Sequence, residues 1–174
     1  NKPSVTLFSQ NTFFNLPGGV FAYWVGINAS KNYKSMKSLS TYSKTKQGIK
    51  TGDNEKFLRL WFEVDFRRIS FEGQKKGYKW YPCNKGGDYK KWYGNRSYVV
   101  NWENDGYEIR NFKDSKGKLL SRPQNTQFSF HEGLTWSSIS SGMLAMRYSD
   151  ATFMFESKGP MCFANNQQDL WQIQ

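Results

Sequence analysis

The sequence predicts an α+β fold, a curved and mostly antiparallel sheet with a few helices. Three observations predict it. Leu58, Leu60, Phe62, Val64 and Phe66 alternate with Arg59, Trp61, Glu63 and Asp65, the period-two pattern of a strand over 57–66 with one buried face. Short runs at 98–102, 134–139 and 152–156 read as further strands. Asp105, then Ile109 and Phe112 on one side, then Gly117, supply the start, stripe and stop of a short helix.

The remaining elements follow in chain order. Leu16-Pro17-Gly18-Gly19 is a turn signal. After it, Val20, Ala22, Tyr23, Trp24 and Ile27 form a mixed apolar face that fits a helix better than a strand. Residues 28–47, rich in Ser, Lys, Asn and Tyr, read as the helix end and a loop, and 48–54 as a compact loop bounded by glycines. Residues 73–95 read as loop, with Gly73, Gly77, Gly86, Gly87 and Gly94. Asp169 to Gln174 look like the start of a helix, a capping residue and apolar positions. A helix of one turn is not stable alone. The sequence, which begins without Met, therefore reads as one domain over 1–174 cut from a longer polypeptide, its last helix truncated. There is no internal repeat.

The chain has 174 residues, 37% hydrophobic and 18% aromatic, enough to build a core and too aromatic for a disordered chain. No stretch approaches the ~18–20 consecutive apolar residues of a membrane span, and no signal peptide opens the chain, so a membrane partner is not expected. Cys83 and Cys162 read as free thiols in a reducing cytoplasm. With His131 the single histidine, the chain has neither the ligands of a structural zinc site nor a G-x-S-x-G element to build a nucleophilic triad around that residue. Phosphate-binding loops of the Walker and dinucleotide types are missing as well. His131 beside Glu132 reads as a surface pair, and Trp102 and Trp136 as core. Trp61, on the polar face of its strand, is either a contact or cover for a second layer.

The formal net charge is +11, and it is unevenly placed. Residues 1–52 hold seven lysines and no acidic residue, whereas 53–66 hold two basic and four acidic groups. Residues 67–96 hold nine basic groups against Glu72 and Asp88, and 97–174 are nearly neutral. Such blocks attract polyanions, of which nucleic acid is the commonest in a cytoplasm. In Lys90-Lys91-Trp92-Tyr93-Gly94-Asn95-Arg96 cations alternate with rings, a pattern able to hold phosphates and stack on bases. The plainer alternative makes Trp92 and Tyr93 core anchors with lysines facing water.

Four segments in order resemble one family. Residues 48–61, GIKTGDNEKFLRLW, are similar to the G-[IL]-x-T-G-x-N-x-x-F element of TaqI-like specificity domains, which follow the catalytic core of adenine-specific DNA methyltransferases. Residues 81–95, YPCNKGGDYKKWYGN, residues 98–106, YVVNWENDG, and RPQNT at 122–126 followed by LTWS at 134–137 narrow the resemblance to the methyltransferases of BREX-type phage defence, the PglX family, over about 16–170. The resemblance implies a target-recognition domain that grips double-stranded DNA while a catalytic domain of the same polypeptide binds S-adenosylmethionine and methylates adenine. Other defence-system subunits would be further partners. The [DNS]-P-P-[YFW] catalytic motif is absent: none of the five prolines is adjacent to another. No catalytic residue and no cofactor are therefore expected in this segment itself.

Candidate DNA contacts fall in three loops. Lys50, Thr51 and Asn54 lie in the first, where two glycines would let backbone amides approach a phosphate, Asn54 alternatively capping the next element. Asn84 and Lys85, with Gly86 and Gly87, form a second, flexible loop that leads to Lys90, Lys91 and Arg96, read as phosphate contacts, with Trp92 among them as a ring to stack on or wedge beside bases. Arg122, Gln124 and Asn125 surround Pro123 and suit base edges. Two other functions compete. Trp, Tyr, Asn and Gly on short strands also suit a carbohydrate-binding module, against which the positive charge argues. A protein-interaction domain would use the same basic surface for an acidic, DNA-mimicking partner.

Overall fold

The computed structural model describes residues 9–22, 24–140 and 142–173. The chain divides into two compact units at Thr41/Tyr42. The first holds three 3-10 turns among its described residues, Gln10–Asn15, Pro17–Gly19 and Leu39–Thr41, and helix α1, Ile27–Ser35. The helix expected from Val20 onward is thus displaced: 20–22 are irregular, 24–25 a turn and bend, and the helix occupies the polar stretch read as its tail. Tyr23 lies outside the described residues. Bonds from Ala22 N to the Val20 carbonyl and from Val25 N to the Ala22 carbonyl close this stretch locally, and Gly26, in extended backbone, starts the helix.

The second unit carries eight strands: β1 Ser43–Lys46, β2 Leu58–Leu60, β3 Trp80–Asn84, β4 Tyr98–Asn101, β5 Gly133–Thr135, β6 Arg147–Ser149, β7 Met154–Phe155 and β8 Met161–Ala164. Its helices are α2 Asn54–Phe57, α3 Glu103–Arg110 and α4 Gln167–Ile173. The architecture is α+β, with the strands in two four-stranded sheets, β1-β8-β5-β6 and β2-β4-β3-β7. Every pairing is antiparallel except β3 with β7.

The long strand over 57–66 is reduced to Leu58–Leu60. Phe57 ends α2, and 3-10 turns at Trp61–Glu63 and Phe66–Arg68 replace the rest. The Glu63 carboxylate accepts the Leu60 backbone N–H at 2.9 Å and Asp65 accepts that of Arg67 at 3.0 Å, so side chains take donors a longer ladder would need. Phe62 and Phe66 end exposed. The opposite correction applies to 73–95: this loop-like stretch contains β3, flanked by β4 and β7. Pro82 and the glycines around it conceal a strand whose Tyr81 and Cys83 are core residues.

Asp105 does not cap α3. It lies inside, and Asn104, Asp105 and Gly106 all adopt left-handed backbone. Gly106 is obligatory, since a Cβ would meet the Trp102 ring. Ile109 is buried, and Phe112 packs edge-on against Phe57 with ring centroids 5.1 Å apart. Gly117 turns the separate 114–118 loop. The strands at 134–139 and 152–156 contract to β5 and β7. Asn166, not Asp169, caps α4: its Oδ1 accepts the Asp169 N–H at 2.8 Å. This short helix is held by packing, with Leu170 against Leu134 and Cys162 and Trp171 stacked on Tyr148. Trp102 is buried, Trp136 is half-buried against the second cluster, and Trp61 is exposed. His131 and Glu132 are both exposed; the ring shares a hydrogen bond with the Ser129 carbonyl and the carboxylate accepts one from the Tyr148 hydroxyl.

Candidate nucleic-acid interface

The three sequence-predicted loops occupy one side-by-side array. Lys50 and Arg122 face each other as an antiparallel bridge, each N–H donating to the other's carbonyl at 2.9 and 2.8 Å. Ile49 bridges Glu156 in parallel fashion, and β3 runs parallel to β7 through the pair Asn84 and Phe155. Segments 49–50, 155–157 and 83–84 therefore point the same way. Ile49 and Asn84 flank Glu156 from opposite sides, roughly 10 Å apart, or two strand spacings. Lys50, Lys158 and Lys85 consequently leave adjacent segments at the same end, and Arg122 joins them through its bridge to Lys50. Lys158, which the sequence did not single out, is exposed here.

Several candidates make internal hydrogen bonds. Thr51 is 2% exposed and donates its hydroxyl to Asn54 Oδ1 at 2.6 Å, while Asp53 caps α2 by accepting the Lys56 N–H. Asn84, expected in a flexible loop, is 3% exposed in β3, where its amide donates to Ser149 Oγ at 2.7 Å and its carbonyl accepts Glu156 N–H. Both side chains are buried and engaged in internal hydrogen bonds. Gln124 donates to the Gly48 carbonyl at 3.0 Å and Asn125 to the Gln47 carbonyl at 2.9 Å, so both amides fasten two loops together. The motif glycines face protein rather than an open surface. A Cβ on Gly48 would overlap the Phe155 carbonyl, and one on Gly52, at φ +83°, would come within 2.9 Å of the Leu120 carbonyl. Gly86 and Gly87 are pinned too: the Lys158 carbonyl lies 2.6 Å from where a Gly86 Cβ would sit, and Ser137 donates to the Gly87 carbonyl at 2.7 Å.

The loop 85–96 is different. Its backbone is tied to β6 by Trp92 N to the Met146 carbonyl and Tyr148 N to the Trp92 carbonyl. The rings stay outside: Trp92 is 54% and Tyr93 62% exposed, so neither anchors the core. Lys91 Nζ lies 5.0 Å from the Trp92 ring, and Lys85 Nζ lies 4.3 Å from that of Tyr98. Arg96 is committed, pairing with Asp150 at 2.5 Å and lying over Phe153 and Tyr93. Burial works against the Asp150 carboxylate, but hydrogen bonds from Thr152 and Arg96 outweigh it and hold it below the ordinary range. Among the described residues, Lys50, Lys85, Lys90, Lys91, Arg122 and Lys158 have no carboxylate partner. Glu156, on the segment between those of Lys50 and Lys85, is buried and accepts from Ser157 and the Lys158 N–H. Cys83 and Cys162 are free and buried, and burial raises both thiols, Cys83 well above the ordinary value.

A second feature is aromatic. Trp61, Phe66 and Phe71 line an open cleft of about 500 Å³ with Tyr98 and Phe153, floored by the Arg96–Asp150 pair. No helix of the described residues is long and apolar enough to cross a membrane.

No family model matches the chain. Two curated relatives do. Adenine-specific methyltransferase PglX of Lacticaseibacillus casei (strain Zhang) is 42% identical over 171 residues, covering 92% of this chain and 14% of the relative. Adenine-specific methyltransferase BrxX of Escherichia coli O9:H4 (strain HS) is 36% identical over 163 residues, covering 92% of this chain and 13% of the relative. The chain is thus similar, over nearly all of its length, to a segment spanning about one-seventh of adenine-specific methyltransferases of the PglX and BrxX kind.

Proposed function

We propose that this chain is the sequence-recognising DNA-binding domain of an adenine-specific DNA methyltransferase in a restriction-modification or phage-defence system. The observation that carries the reading is the array of cations without carboxylate partners: Lys50, Arg122, Lys158 and Lys85 on neighbouring segments, with Lys90, Lys91 and the exposed Trp92 in the adjoining loop. Cations so placed release counterions from a phosphate backbone, and an exposed ring beside them adds a stacking surface. Similarity to the methyltransferase segment supplies the class of polyanion.

In this reading S-adenosylmethionine is not held by this segment. The Asp150 carboxylate of the aromatic cleft is already taken by Arg96 and Thr152, and no proline pair of the catalytic motif occurs. Cofactor and methyl transfer belong, in this reading, to a catalytic domain of the same polypeptide, in the cytoplasm. The exposed aromatics Trp61, Phe62, Phe66 and Phe71 favour a protein-interaction role for their own face, alongside DNA binding.

Gel retardation of a random-sequence duplex tests the proposal. With four to six phosphates neutralised, affinity should fall about 10²–10³-fold between about 50 and 200 mM salt. No retardation at low salt, or retardation indifferent to salt, rejects DNA binding; the latter is the behaviour of sugar stacking.

A further inference from the structure

Arg147, in β6, is 1% exposed and yet has no carboxylate on it among the described residues. Its Nη1 reaches the Lys90 carbonyl only at 3.5 Å and its Nη2 the Ser137 hydroxyl only at 3.4 Å, both at the limit of hydrogen bonding. Its Nε–H has no acceptor among the described residues. Desolvation pushes its pKa below the ordinary guanidinium value, but a guanidinium remains charged in any protein. A buried cation without a counter-ion is strongly destabilising, and a buried donor without an acceptor adds to the cost.

A small pocket opens beside this group, with a volume of about 30 Å³, the polar Tyr89, Ser137 and Ser140 and the apolar Met143, Leu144 and Ala145 standing around Arg147. That is room for one or two water-sized atoms, the size of an inserted oxygen. It adjoins a wider cleft that shares Gly87, Tyr89 and Ser140 with it, and the exposed Lys90 and Lys91 lie in the same loop. Among the described residues, Asp88, on the wider cleft, is the one acidic side chain lining either.

We propose that Arg147 is the floor of an oxyanion site, in which one oxygen of a phosphate group enters the pocket and accepts the Nε–H, supplying the missing counter-charge. The phosphate's source rests on the DNA-binding reading: a backbone phosphate whose neighbours face Lys90 and Lys91. The anion site itself does not depend on that reading.

The test follows the Arg147 Nε–H resonance in the ¹⁵N-labelled 174-residue chain. Inorganic phosphate is titrated at constant ionic strength against chloride. One arginine Nε–H signal, missing in Arg147→Lys, should shift saturably, and the thermal midpoint should rise about 3–6 °C at tenfold the dissociation constant. A signal unmoved by phosphate, or moved equally by chloride, overturns the site. Should Arg147→Lys not fold, Ser137→Ala replaces it: a severalfold weaker phosphate response supports the site and an unchanged one overturns it. A short duplex forms the second arm. Movement of the same signal by duplex supports the nucleic-acid source, and movement by free phosphate alone overturns that source. Loss of all duplex binding with the phosphate response intact defeats the DNA-binding reading while leaving the anion site standing.

Discussion

The bridge between 48–52 and 122–125 and the loop 85–96 are both glycine-containing, polar and basic, but they use these residues in opposite ways. In the first, Gly48 and Gly52 exist to let backbones touch, and the amides of Gln124 and Asn125 and the Thr51 hydroxyl are consumed by internal hydrogen bonds. Only the side chains of Lys50 and Arg122 face outward without a carboxylate. In the second, the backbone is tied down at Trp92 while Lys90, Lys91, Trp92 and Tyr93 remain exposed. A motif that looks made for ligand is thus in one place a fastening and in the other an open surface. The difference lies in where the polar hydrogens go.

Substitutions in the two regions should therefore separate stability from affinity. Gly48→Ala forces a Cβ into the Phe155 carbonyl and should cost about 3 kcal/mol or more, measured by denaturant unfolding. A stable, unshifted Gly48→Ala protein would break the contrast. Charge reversal of Lys85, Lys90 and Lys91 together should weaken duplex binding about 100-fold or more with a flattened salt dependence, measured by titration, while leaving the unfolding midpoint nearly unchanged. If binding survives, the loop is not the contact surface. Trp92→Ala should weaken binding roughly tenfold and leave the salt slope in place, since a ring contributes stacking rather than charge. Asn125→Ala removes one hydrogen bond of the fastening and should cost about 1 kcal/mol of stability, with duplex affinity within about twofold of the parent.

The smallest effect concerns pH. The folded-state pKa of Asp150 lies below its ordinary 3.8, so the stability it contributes is fully present above that value and is lost as pH falls through the lower, folded one. Acid unfolding of the parent should include this loss, and Asp150→Asn should flatten that part of the curve, being already less stable at neutral pH. An identical acid profile for both proteins would remove the Arg96–Asp150 pair from the forces holding the loop.

Much of the fold was legible locally. The strand at 98–102 contracts by one residue to β4, the class is α+β, and Trp102 is core. The failures have local causes. Phe62 and Phe66 fit a strand's alternation, but Glu63 and Asp65 capture backbone N–H groups and curl the chain into 3-10 turns. β3 was hidden because Pro82 and flanking glycines are turn formers unless neighbours on both sides supply a sheet. Asn84 carried a loop residue's identity into a buried position, where Ser149, 65 residues away, satisfies it.

The sequence by itself determined how much charge the molecule carries, in which blocks, and that the first block has no acidic residue to pair with. Charge is a property of composition and survives any fold. Tertiary structure alone decided which cations are spoken for and which meet. Arg96 finds Asp150 54 residues on, Lys158 joins Lys50 and Lys85 through parallel strand pairing, and Arg147 is buried with no carboxylate opposite it. Each depends on contacts between distant segments, which no spacing rule along the chain encodes.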